Sequence, residues 1–131
     1  MTAARMWTLE HRVRPWTMNA ERRMNPFERA SLATSWRAAF HVLTRAAKIP
    51  PLEAAIVTVL PVLLSQRSWP DVGACFPAAK SAIDGIVDAG VLPDDDAEHL
   101  VELRFLAPAL DDHDGLVLII EVADSAGIEI S

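Results

Sequence analysis

Three features of the chain predict an α+β fold, with a mixed sheet of about four strands and two main helices in one domain over residues 1–131. Segments of strand character stand at 6–13, 54–64, 98–106 and 115–123. Two long segments with helix punctuation at their ends, 25–48 and 77–89, lie between them. A hydrophobic share of 51% in 131 residues supplies enough apolar material for a core. With no Tyr and only four Trp and four Phe, that core is expected to be mostly Ala, Val, Leu and Ile.

Residues 6–13, MWTLEHRV, read as a short first strand. The following RPWTMNAERRM reads as an irregular, Arg-rich segment carrying Trp16, and it is the best candidate for contacting phosphates. Asn25, Pro26 and Glu28 then form a helix start: Asn caps, Pro occupies the first position, and Glu reaches back as in a capping box. This helix is expected to run to about Lys48. Leu32, Trp36, Ala39, Phe40, Leu43 and Ala47 fall on its core face, and Thr34, Arg37, His41, Thr44, Arg45 and Lys48 on a basic one.

After the Pro50-Pro51 break, AAIVTVLPVLL has the β-branched content of a strand, with Pro61 restricting its far end to an edge or a bulge. Val101, Leu103 and Phe105 alternate with Glu102 and Arg104, the pattern of a half-buried strand. GLVLIIEVA from Gly115 is a continuous apolar run, read as a central strand buried on both faces. PALDDHDG between them is turn-forming, and Asp112, His113 and Asp114 belong to a solvated turn rather than a metal cluster. The tail DSAGIEIS reads as frayed.

A single cysteine, Cys75, excludes an intrachain disulfide and has no ligand at metal spacing, so it reads as a buried or half-buried structural thiol in a reducing cytoplasm. The longest apolar run is too short to span a bilayer, so no membrane partner is expected. The net charge of −6 is segregated along the chain. Residues 1–48 hold nine Lys or Arg against three Glu, a balance of +6; residues 49–131 hold three against fifteen acids, a balance of −12. A phosphate-binding surface beside a carboxylate cluster needs such a division, although two halves that neutralise each other would also produce it.

Residues 69–96 concentrate the chemistry. Pro77 and Gly90 bracket a helix over Pro77–Ala89, roughly 20 Å long. Its buried stripe is Ala79, Ile83, Ile86 and Val87. Gly90 to Asp95, extended at about 3.3 Å per residue, can run most of the way back along the helix and bring Asp95 toward Asp71. Lys80 lies near the positive end of the helix dipole and Asp84 and Asp88 toward the negative end, the unfavourable order, at about 0.3–1 kcal/mol each. Local rules broken without evident gain suggest a site. The plainer reading is a solvated face with a weak Lys80–Asp84 pair.

KSAIDGIVDAGVLPDD, from Lys80 to Asp95, resembles the core motif of the RusA-like Holliday junction resolvases, small metal-dependent endodeoxyribonucleases common in prophages and phages. Upstream, that family places two aspartates one residue apart and then Asn, a few residues before a Pro and the Lys. Asp71 and Pro77 match, whereas Gly73 and Ala74 stand at the second aspartate and the asparagine. RPWTMNAERR resembles the family's early proline-and-asparagine loop more loosely. The resemblance implies a RusA-like fold and a homodimer that cuts branched DNA in recombination and repair, using Mg²⁺, with Mn²⁺ as the alternative ion. It implies Lys80, Asp71 and Asp95 as catalytic residues, and Asp71 and Asp95 as metal ligands with Asp84 or Asp94 in reserve. Arg14, Asn19, Arg22, Arg23 and Arg37 are the DNA-contacting candidates. A catalytically weakened binder of branched DNA and an interaction protein on the same fold are the alternatives.

Overall fold

The computed structural model describes residues 5–67 and 69–123, so the tail beyond 123 lies outside the described residues. In chain order the elements are β1 (Met6–His11), α1 (Met18–Glu21), α2 (Pro26–Ala46), β2 (Ala55–Leu63), α3 (Phe76–Asp88), β3 (Leu100–Phe105), β4 (Ala109–Leu110) and β5 (Gly115–Val122). The mixed α+β fold is as expected, with one very short helix and one two-residue strand added.

The sheet order is β1-β5-β2-β3, with β4 continuing along the β3 side of β2. β5 is antiparallel to both β1 and β2, whereas β3 and β4 run parallel to β2. Leu9, Val57, Val59, Leu116, Leu118 and Ile120 share one core with Trp36, Phe40, Ile83 and Ile86 from the two long helices. β5 is therefore buried on one face rather than two: Leu116, Leu118 and Ile120 are fully buried, while Val117, Ile119 and Glu121 are only half covered.

β2 is central, which corrects the expectation of an edge or bulge at Pro61. The Val59 carbonyl accepts from the Leu106 N–H and the Leu63 carbonyl from the Asp111 N–H, so by two-residue alternation Pro61 faces the same side. There the neighbouring strand is interrupted between β3 and β4, so the missing Pro N–H falls opposite the gap.

α1 interrupts the segment expected to be irregular. The Thr17 hydroxyl accepts from the Ala20 N–H and caps it, and the Trp16 side chain turns inward instead of toward solvent. α2 starts as expected: the Asn25 side chain accepts from the Glu28 N–H and donates to the Glu28 carboxylate. Its core stripe is Trp36, Phe40 and Thr44. Thr44, assigned above to the basic face, is buried because its hydroxyl donates to the Phe40 carbonyl one turn back and needs no water. Ala47, assigned to the core face, is exposed, since the helix has ended at Ala46.

α3 is buried on more of its circumference than the predicted stripe, because it packs on both the sheet and α2. Ala78, Ser81, Ala82 and Gly85 are buried along with Ala79, Ile83 and Ile86. A Cβ added at Gly85 would lie 2.4 Å from the Arg37 carbonyl oxygen, so the two long helices meet there nearly backbone to backbone. Lys80, Asp84 and Asp88 are left on the outer strip. Cys75 is buried at the head of α3, and burial pushes its thiol up to about 11, as expected of a structural rather than reactive cysteine. No helix among the described residues is long and apolar enough to cross a membrane.

Candidate functional site

The head of α3 is fixed by a turn whose Asp71 carbonyl accepts from Ala74 N–H and whose Gly73 carbonyl accepts from Phe76 N–H. Gly73 has φ +82°, a conformation that strains most residues carrying a Cβ, though aspartate and asparagine tolerate it better than most. The Ala74 carbonyl accepts from Met18 N–H at 2.9 Å and joins α1 to this turn. At the other end, Gly90 with φ +88° stops α3, and Val91 and Leu92 plug into the core. The chain then doubles back, as its length allowed.

This return brings Asp95 to Lys80. The Lys80 ammonium donates to Asp84 Oδ1 at 2.7 Å and to Asp95 Oδ2 at 2.5 Å. Partial burial alone pulls the Lys80 pKa down, but the bonds to Asp84 and Asp95 outweigh it and leave it above its ordinary value. The hydrogen bond from Lys80 is the main reason that Asp95 titrates below the usual carboxylate range. Lys80 and Asp95 are both charged at neutral pH. The apparently misplaced Lys80 is thus compensated by two carboxylates, Asp84 on its own helix and Asp95 on the returning chain.

Asp88 has a different explanation. Arg37 on α2 grips it with both arms, Nε to Oδ2 at 2.5 Å and Nη2 to Oδ1 at 2.7 Å. The bond raises the pKa of Arg37 and lowers that of Asp88. Asp88 is therefore a strut between the two long helices, and Arg37, a candidate DNA contact, has its guanidinium already committed. Because both groups are partly exposed, Arg37→Ala should cost no more than about 1 kcal/mol at pH 7. The depressed carboxylate contributes stability above its unfolded pKa and loses it as the pH falls through the folded one. Urea midpoints of the variant and the parent should therefore converge in acid, and a gap undiminished by acidification would contradict the assignment.

The remaining candidates divide between neighbouring grooves. Arg14, Asn19 and Arg23 line one of about 540 Å³ with Trp16. Arg14 also lies 3.8 Å from Asp114. Arg22 lines a second with Met18, Glu21 and Arg29. A third, about 530 Å³, shares Met18, Glu21 and Arg29 with the second and extends over Phe76 and Pro77 to Lys80. Arg29 and Glu21 were not singled out in the sequence. Their signal was position: α1 faces α3, and Arg29 lies one helical turn before Ala33, another wall of this groove.

Asp71 is exposed, and its carboxylate makes no hydrogen bond or ion pair among the described residues. Asp94 is exposed and accepts from the Asp95 N–H. Among the described residues, three metal-ligating side chains converge only at Asp96, Glu98 and His99 and at Asp111, Asp112 and His113. Neither group contains a predicted ligand. In both, carboxylate and imidazole already bond each other, and His113 additionally reaches Glu10 on β1, so these are tied turns. Asp84 and Asp95 fit a divalent ion on other grounds: two carboxylates already converge on one cationic atom, the Lys80 ammonium, and Mg²⁺ is commonly held by one or two carboxylates with water and phosphate completing its shell.

No protein-family model matches the chain, and no curated protein matches it.

Proposed function

We propose that the chain is a Mg²⁺-dependent, structure-selective endodeoxyribonuclease that hydrolyses phosphodiesters in four-way junctions or other branched DNA. The observation that carries this reading is the Lys80 ammonium held between Asp84 and Asp95 at the end of a groove walled by Arg29, with Arg22 in the groove beside it. Asp84 and Asp95 would hold the ion, with Asp71 and Asp94 as the outlying acids of the set, and Mn²⁺ would substitute. Bound there, the ion would supply Lewis-acid chemistry at the phosphoryl group. Lys80 then turns from its carboxylates to a non-bridging oxygen and neutralises the charge developing there. Arg29 and Arg22 hold the strand by its phosphates, a contact that weakens with salt.

One chain supplies one such site, so symmetric cutting of a junction entails a homodimer with a two-fold axis. Light scattering should give twice the chain mass at micromolar concentration, and a monomer would count against resolution of symmetric junctions.

Gly73 favours a second reading. The turn before α3 carries no carboxylate where the resembled family has its second aspartate, which suits a binder of branched DNA that does not cut. The two readings separate when labelled four-way junction and linear duplex are incubated with the protein, with and without Mg²⁺ or Mn²⁺. Metal-dependent nicking of the junction alone supports the nuclease, and salt-sensitive binding without nicking supports the binder. No binding at all would leave an interaction protein that ignores nucleic acid.

A further inference from the structure

The groove that ends at Lys80 has more in its walls than a phosphate track needs. Phe76, 42% exposed, and Met18, 44% exposed, offer flat apolar surface with Pro77 beside them. Phe76 and Lys80 are four residues apart on α3 and so project side by side. The Phe76 ring packs at a tilt of 46° against Phe105, at 6.1 Å between centroids. Arg29 on α2 and Lys80 on α3 are two cations lining the same groove, and the volume of about 530 Å³ admits one nucleotide but not a duplex. Glu21 also lines it. One of its carboxylate oxygens accepts from the Trp16 indole N–H at 2.8 Å, and no hydrogen bond to the other is found among the described residues.

We propose that this groove binds a single unpaired nucleotide at the branch point of the DNA, resting on the nuclease reading above and assigning its structure selectivity. The base stacks on Phe76 against Met18, a contact that every base can make. Its phosphate lies between Arg29 and Lys80. The free Glu21 oxygen accepts an N–H from the Watson–Crick edge of the base. In a duplex that edge is occupied by the pairing strand, and a carboxylate near duplex phosphates is repulsive. The same acid therefore rewards an unpaired base and penalises a paired one.

The test uses 2-aminopurine placed as a single-nucleotide bulge in a short duplex, and the same base fully paired, both in EDTA so that no cutting intervenes. The parent protein should bind the bulge roughly tenfold more tightly than the paired duplex, the scale of one stacked base, and change the emission of the bulged base. Phe76→Ala and Phe76→Leu should lose both the preference and the emission change while keeping salt-dependent binding of the paired duplex, since Phe76 is half exposed and its removal spares the core. Glu21→Gln, which keeps an acceptor for Trp16, should bind paired duplex more tightly and so reduce the preference. If Phe76→Ala retains the emission change, or if the parent cuts junctions yet shows no preference for the bulge, this assignment is overturned and the nuclease reading stands. A parent that binds no DNA overturns both.

Discussion

Lys80→Ala should lower the rate of junction cleavage by roughly 10² to 10³ while weakening junction affinity only slightly. That loss is the scale seen when one preorganised electrostatic stabiliser is removed from a site where charge develops. The alternative is that Lys80 merely joins Asp84 and Asp95 as a partly exposed ion pair. Such a pair contributes little, and its removal would leave cleavage nearly unchanged. The two cases also differ in metal affinity. Without the ammonium, Asp84 and Asp95 lose their internal cation, so Mg²⁺ should bind the variant more tightly even as cleavage falls. Unchanged kinetics would return Lys80 to the role of a surface pair, and an equal loss of binding and cleavage would make it a ground-state phosphate contact.

Gly85→Ala should destabilise the protein, although the same change in an exposed helix interior gains about 1 kcal/mol. The sign reverses because the new Cβ would sit 2.4 Å from the Arg37 carbonyl oxygen and 2.9 Å from the His41 nitrogen. Both are backbone atoms of α2, which cannot swing aside as a flexible side chain would. The helices must separate, loosening the buried face of α3 and pulling Arg37 off Asp88. Overpacking of this kind costs about 1–3 kcal/mol. A net loss measured as a lower urea midpoint at unchanged slope supports the close contact, and a stabilised variant would show that the helices are not so closely packed.

The parts of the fold that were legible in the sequence are those fixed by local chemistry. Asn25-Pro26 opens α2 and Gly90 closes α3 because capping and a positive φ are decided within a few residues. The inward positions of β3 followed from alternation. Most of what escaped was decided by distant partners. Thr44, placed on the basic face, is the local exception: it lies one turn after Phe40, and its hydroxyl bonds back to the Phe40 carbonyl, which lets it be buried. Pro61 was assigned to an edge because nothing local shows that the neighbouring strand breaks opposite it. Arg37 and Asp88 are 51 residues apart, so the reason for Asp88's position on the helix could not be read from the helix itself. The site divides in the same way. Lys80 and Asp84 follow from helical spacing and Asp95 from chain length, whereas Glu21 joins the groove because α1 folds onto α3 and Arg29 because α2 packs along it.

The central claim is that the acids facing Lys80 perform phosphodiester hydrolysis, and Asp95→Asn tests it most directly. The parent and the variant are to be compared on one labelled four-way junction at saturating Mg²⁺, with binding measured in EDTA. The account predicts that the parent nicks the junction, while the variant binds it as tightly or more tightly, having lost a negative charge beside the phosphates, and leaves it uncut. Full cleavage by Asp95→Asn would contradict it.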